Sequence, residues 1–168
     1  LPYMSRFGGS VLNATINMYA YATLKKSENR KIIFNAKDKG QVEVLDATDH
    51  LPIEGCKLPL HRGVYNHIVK KYNAGNPLPI NLLTHCEAPV GSGLGASSTL
   101  TVAIVKAFDD FLGLSLGEYE LAQMAFDIER IELGLSGGQQ DQYAAAFGGF
   151  NFIDFKKNTQ VIVNPLRI

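Results

Sequence analysis

The chain has 168 residues, 46% of them hydrophobic and 19% charged, and its formal net charge is zero. That is enough for one domain with a proper core. Charge balance argues against nucleic acid as the main partner, because phosphate-backbone binding draws on a basic excess. No apolar run reaches the ~18 residues of a membrane-spanning helix, and no signal peptide opens the chain. Cys56 and Cys86 are thirty residues apart and form no Cys-x-x-Cys, which favours a reducing, cytoplasmic setting. His50, His61, His67 and His85 show no metal-ligand spacing and read as surface or structural.

In chain order, Val11 to Leu24 is β-branched and aromatic, and Ile32–Phe34 and Val42–Leu45 follow across polar turns. Short connections between strand-like runs predict an antiparallel meander. Asp46 to Pro59 is loop-like. Val64, Tyr65, Ile68, Val69 and Tyr72 recur at helical spacing and predict an amphipathic helix over 61–72. Its basic side (Arg62, His67, Lys70, Lys71) is a solvated face that could also attract a phosphorylated ligand. Ile80 to Cys86 reads as a strand leading into a glycine-rich loop.

That loop is Pro89-Val-Gly91-Ser92-Gly93-Leu94-Gly95-Ala96-Ser97-Ser98-Thr99. Glycine permits positive φ and close backbone approach. Ser and Thr are good helix N-caps, and a helix start presents free N–H groups and partial positive charge. The combination predicts an anion cradle, most naturally for phosphate. The alternative is an ordinary Gly-rich turn before a helix. The loop lacks the Gly-Lys-Ser/Thr ending of a P-loop. Gly91, Gly93 and Ala96 fit a loose dinucleotide fingerprint, but Pro89 interrupts the approach and a second helix follows where a strand is needed.

Leu100 to Leu112 is apolar over much of a helical circumference and predicts a central, buried helix ending at Gly113. Ser115 to Glu118 has the form of a capping box. The helix it opens carries Leu121, Ala122, Met124, Ala125, Ile128 and Ile131 and ends near Gly134. Residues 150–155 and 161–163 form two runs across Lys156–Thr159, a predicted hairpin. The order of elements indicates an α+β domain with helices packed on one sheet face.

Three carboxylates stand out. Asp141 lies in a polar, glycine-rich segment beside an alanine-rich run, where it is either a solvated surface group or a cleft base. At about 100° per residue, Glu129 and Glu132 share the side of Leu121 and Ala125, while Asp127 and Arg130 point away. A Glu on an apolar face is seldom unpaired. Either is a candidate metal ligand or the partner of a local Arg. Phosphoryl transfer needs a metal-binding carboxylate and a second group that orients the attacking hydroxyl.

The glycine-rich stretch resembles the phosphate-binding motif of the GHMP kinases, Pro-x-x-x-Gly-Leu-Gly-Ser-Ser-Ala, with Ala96 for the first Ser and Ser98 for the Ala. The resemblance implies that Ser97 and Glu129 ligate Mg²⁺, which selects Glu129 over Glu132. It also implies that Asp141 is the catalytic carboxylate. Asn13 to Tyr21, the 134–150 stretch and Val161 to Leu166 resemble the bacterial heptose phosphate kinases within that family. The implied fold is a ribosomal-protein-S5-like N-terminal GHMP domain over 1–168. The implied reaction moves the ATP γ-phosphoryl group to the anomeric hydroxyl of a heptose phosphate. Pro89, Gly91, Ser92, Gly93, Leu94, Gly95, Ala96, Ser97 and Ser98 would bind nucleotide. Ser136, Gly137, Gly138, Gln139 and Gln140 would border the sugar. ATP and Mg²⁺ are the implied cofactors, and the partners are small molecules rather than nucleic acid or membrane. The family's first strand and its C-terminal domain have no counterpart between Leu1 and Ile168, so the resemblance implies a piece of a larger kinase that is poorly active alone. Other readings are a kinase for another sugar or alcohol, a silent nucleotide or sugar sensor, and a structural domain binding an adventitious anion.

Overall fold

The structure, a computed structural model, describes residues 7–89, 91–157 and 160–167; Val90 of the glycine-rich stretch and positions 158–159 of the expected hairpin turn lie outside them. Among the described residues, seven strands and four helices follow in the order β1 (Gly9–Ala14), β2 (Ala20–Lys26), β3 (Lys31–Ala36), β4 (Gln41–Asp46), α1 (Pro59–Tyr72), β5 (Ile80–Cys86), α2 (Ala96–Leu112), α3 (Glu118–Phe126), α4 (Gln140–Phe147), β6 (Phe150–Phe155) and β7 (Val161–Pro165). A 3₁₀ turn (Lys37–Lys39) joins β3 to β4, and a π-helical turn (Asp127–Glu132) extends α3.

The strands form two sheets, in the orders β1-β6-β7 and β2-β5-β3-β4. This corrects the expected meander. β3 and β4 do form an antiparallel pair, but β5 enters between β2 and β3 and runs parallel to β3, with Ile33 opposite Asn81. The Ser27–Arg30 turn therefore crosses the start of β5, where the Ser27 N–H donates to the Pro79 carbonyl at 3.1 Å. The run read as one strand over 11–24 is two. It breaks at 15–19, where Thr15 is tied to Gly149 and the Tyr19 N–H donates to Glu87. β1 then pairs with β6 and β2 with β5. The hairpin expected near the end is present as the antiparallel pair β6–β7.

The main core lies between the larger sheet and the helices. Ile32 and Phe34 of β3 and Ile80 and Leu82 of β5 face Val64, Tyr65 and Ile68 of α1, Ile104, Val105 and Phe108 of α2, and Met124 and Ile128 beyond. Each such side chain contributes about 1.5–3 kcal/mol by leaving water. The opposite face of the same sheet exposes Tyr21, Val42 and Val44, so the helices cover one face only. A smaller cluster (Ala122, Tyr143, Ile153, Phe155, Val161, Val163) lines the three-stranded sheet. α2 is the central helix, as its apolar circumference predicted.

Gly113 ends α2 in the left-handed region. The predicted capping box at Ser115–Glu118 does not form. Ser115 has φ +60°, and the chain instead wraps around the buried Asp109, whose carboxylate accepts the Leu116 N–H at 2.9 Å. α3 starts two residues later than that box would place it, at Glu118. There the Glu120 carboxylate accepts the Gly117 N–H at 2.8 Å.

Candidate functional site

The loop between β5 and α2 is shaped by three left-handed glycines at alternate positions: Gly91 (φ +78°), Gly93 (φ +75°) and Gly95 (φ +71°). Any L-residue there is strained, whatever the space around it. Nothing lies within 4 Å of a side chain built at Gly91 or Gly93, so both face open space. Gly95 itself is the N-cap of α2 and supplies no side-chain acceptor. The Ser-Ser-Thr cluster therefore lies inside the first turn, not at the cap as the residue types suggested. Thr99 and Thr101 turn back to the carbonyls of Gly95 and Ser97. A 17-residue helix thus directs its N-terminus at a cavity of about 460 Å³, which suits an anion.

The cavity joins the predicted parts. Gly91, Ser92, Gly93, Gly95, Ala96, Ser97 and Ser98 line it together with Ser136, Arg130 and Asp141. Asp141 stands in the first turn of α4 and touches the loop closely: a side chain at Gly95 would lie 3.2 Å from its Cγ. Partial burial pushes the Asp141 carboxyl up from its ordinary 3.8. The Arg130 guanidinium opposes that shift, and Glu129 adds to it.

Glu129 is fully buried. Its Oε1 accepts the Ser97 hydroxyl at 2.8 Å, and its Oε2 accepts the Gln142 amide at 2.6 Å. Ser97 and Glu129 are thus in contact, although 32 residues apart. Glu132 points elsewhere, 43% exposed and bonded to His67 at 2.7 Å. The shared helical side read for the two carboxylates fails because the chain there is a π turn. The same turn brings Arg130 into the cleft, where it was expected to point away. Its Nε donates to the Gly138 carbonyl at 3.1 Å and its Nη2 to Ser98 at 3.4 Å. Asp127 does stay clear of the cleft, bonded to Gln123.

Several predicted residues sit at the margin. Ser98 is only 1% exposed, its hydroxyl held by Gln142 at 3.0 Å and by Arg130. Pro89, Leu94, Gln139 and Gln140 do not line the cavity. Gln139 caps α4, Gln140 begins it, and Leu94 projects outward. Gly137 and Gly138 instead pack on Arg130, whose Cζ would lie 2.7 Å from a side chain at Gly137. Residues missed from sequence are Asp38, Lys39, Leu60 and Cys86, which also line the cavity. They come from β3–β4, α1 and β5 and carry no local motif; only the sheet order brings them together.

Mg²⁺ characteristically takes one or two carboxylates and completes its shell with water and substrate phosphate oxygens. The Ser97–Glu129 oxygen pair beside an anion cradle fits that habit. No group of three or more His, Cys, Asp or Glu side chains suited to a metal occurs among the described residues. No helix among them is long and apolar enough to cross a membrane.

Residues 59–149 match the family model described as "GHMP kinases N terminal domain". The chain is 50% identical to the D-glycero-alpha-D-manno-heptose 7-phosphate kinase of Campylobacter jejuni over 99% of its own length and 48% of that protein's. It superposes with a TM-score of 0.93 and 48% identity on the crystal structure of a D-glycero-D-manno-heptose 1-phosphate kinase from Bacteroides thetaiotaomicron, covering 99% of this chain and 54% of that one. The mevalonate kinase of Methanococcus jannaschii shares the fold at a TM-score of 0.79 and 17% identity, over 96% of this chain and 50% of its own. The chain spans about half the length of these relatives.

Proposed function

Because the chain belongs to the GHMP kinases, we propose that it forms the nucleotide-binding side of a sugar kinase that transfers the γ-phosphoryl group of ATP to the anomeric hydroxyl of a heptose phosphate. The observation that carries this reading is the contact of Asp141 with Gly95: a carboxylate stands against the glycine-rich loop, which supports a role for it between an acceptor hydroxyl and a terminal phosphate. The backbone N–H groups of 91–97 would hold the phosphates. Ser97 and Glu129 would hold Mg²⁺, which when bound neutralises charge on the β- and γ-phosphates.

Asp141 would orient the acceptor hydroxyl and take its proton. The hydroxyl oxygen bonds to the γ-phosphorus as the bond from that phosphorus to the β–γ bridging oxygen breaks, and ADP leaves. Partial burial raises the Asp141 carboxyl and makes its carboxylate a stronger proton acceptor, which suits this role. Ser136 and the Gly137–Gly138 turn, seated on Arg130, would border the sugar. The part of the cavity lined by Asp38, Lys39 and Leu60 would take the nucleoside. The thiols of Cys56 and Cys86 are both unpaired and support a reducing, cytoplasmic setting.

The test is Asp141→Asn in the full-length protein, assayed for ADP release with heptose 7-phosphate and Mg-ATP. Loss of a general base of this kind costs about 10²–10⁴-fold. Turnover near wild type would remove Asp141 from the mechanism. Tight Mg-ATP binding by the unmutated protein with no turnover across a sugar panel would favour a sensor.

A further inference from the structure

Gln142 follows Asp141 but points the other way, into the interior, where it is fully buried. Its amide nitrogen donates to Glu129 Oε2 at 2.6 Å and to Ser98 Oγ at 3.0 Å, so both amide hydrogens are used. Its Oε1 is buried with no partner. Turning the amide over would set that oxygen against the Glu129 carboxylate, so the donor end must face Glu129. The unpartnered oxygen is a cost that the fold carries to keep that orientation.

The Glu129 carboxylate is therefore held from both sides, by Gln142 on Oε2 and by Ser97 on Oε1. Gln142 also ties it to Ser98, the residue after Ser97. We propose that Gln142 is a positioning residue for the cation site: its amide holds the Glu129 carboxylate in the orientation that turns Oε1 toward Ser97, and ties it to the first turn of α2. This rests on the reading of Ser97 and Glu129 as the Mg²⁺ ligands. Groups that orient a metal ligand from behind commonly account for about 10–100-fold in metal affinity.

The experiment titrates Mn²⁺ into the full-length protein with a non-hydrolysable ATP analogue, following bound Mn²⁺ by electron paramagnetic resonance. Gln142→Met fills the same space without donors, and Gln142→Leu is a second apolar form. Affinity for Mn²⁺ is expected to fall about 10–100-fold, with metal-free analogue binding unchanged. A merely structural role would lower the melting temperature and leave Mn²⁺ affinity intact below it, which would overturn the proposal. Failure of both variants to fold would also overturn it, since Gln142 would then serve the core at large. If wild type binds no more Mn²⁺ than the free nucleotide does, the reading of Ser97 and Glu129 fails first and the role of Gln142 falls with it.

Discussion

Gly95→Ala separates two effects that the glycine-rich loop combines. Gly95 has φ +71°, where an alanine costs about 1–2 kcal/mol. Its new methyl would also lie 3.2 Å from Asp141 Cγ and 3.3 Å from Asp141 Cβ. Carbon atoms pack at roughly 3.5–4.0 Å, so the Asp141 side chain must retreat by about half an ångström. A misplacement of 1 Å can cost about 10²-fold in rate, so half of that implies about 10-fold in kcat. Gly93→Ala is the control: its φ is +75°, yet nothing lies within 4 Å of the added methyl. Both variants should lose similar thermal stability. Only Gly95→Ala should lose kcat, whereas Gly93→Ala should mainly raise the KM for ATP. Thermal melts and steady-state kinetics with Mg-ATP and heptose 7-phosphate read out all three quantities. Equal kcat for Gly95→Ala and wild type, or equal loss in the two variants, would refute the placement of Asp141 against the loop.

Other consequences are as direct. The proposed base works deprotonated, so kcat/KM should fall on the acid side with an inflection above 3.8, and Arg130→Gln should move it higher by removing the opposing charge; an inflection that Arg130→Gln leaves in place would count against the contact. His61 is buried beside Phe34, bonded to Thr84 at 2.9 Å, and burial pushes its pKa down from 6.5 to about 4. It stays neutral when folded and takes a proton when unfolded, so stability present above pH 6.5 should drain away as pH falls toward 4. The gap of 2.5 is about 3 kcal/mol; chemical denaturation of His61→Gln at pH 7 and pH 4.5 should show most of that slope gone. Gly63 of α1 faces Leu133, with only 2.8 Å for an added methyl, and Gly63→Ala should cost about 1–3 kcal/mol in a urea titration.

Elements with strong periodicity were readable from the chain alone. α1 and α2 follow from apolar spacing, and the left-handed Gly113 ends α2 where a glycine should. Sheet order was not readable, because nothing in Ile80–Cys86 announces that it pairs parallel to β3 between two earlier strands. The cradle and Asp141 were legible as residue types in a pattern. The Asp38, Lys39 and Leu60 part of the cavity lining was not, since those residues reach it only through that strand order. Gln142 was invisible for a different reason: a glutamine in a polar stretch has no sequence signal for burial.

The least readable stretch is also the one on which the site depends. From Asp127 to Glu132 the helix widens to a π turn, and the Leu133 N–H reaches back five residues to Ile128 at 2.9 Å. A step of 100° per residue, right for Leu121 and Ala125, fails beyond that point. In a regular helix Glu129 and Arg130 would face different ways, and only one of them could serve the cleft. In the wider turn Glu129 reaches Ser97 and Gln142 while Arg130 reaches Ser98 and the Gly138 carbonyl. π turns inside α-helices recur at functional sites because they carry an extra residue that re-aims its neighbours. Here consecutive residues of opposite charge both attach to the start of α2, one through each of two adjacent serines. Glu129 brings a carboxylate to Ser97 in the first turn of α2, and Arg130 supports the Gly137–Gly138 segment. The turn thus ties the start of α2 and the Gly137–Gly138 segment to one short stretch of chain.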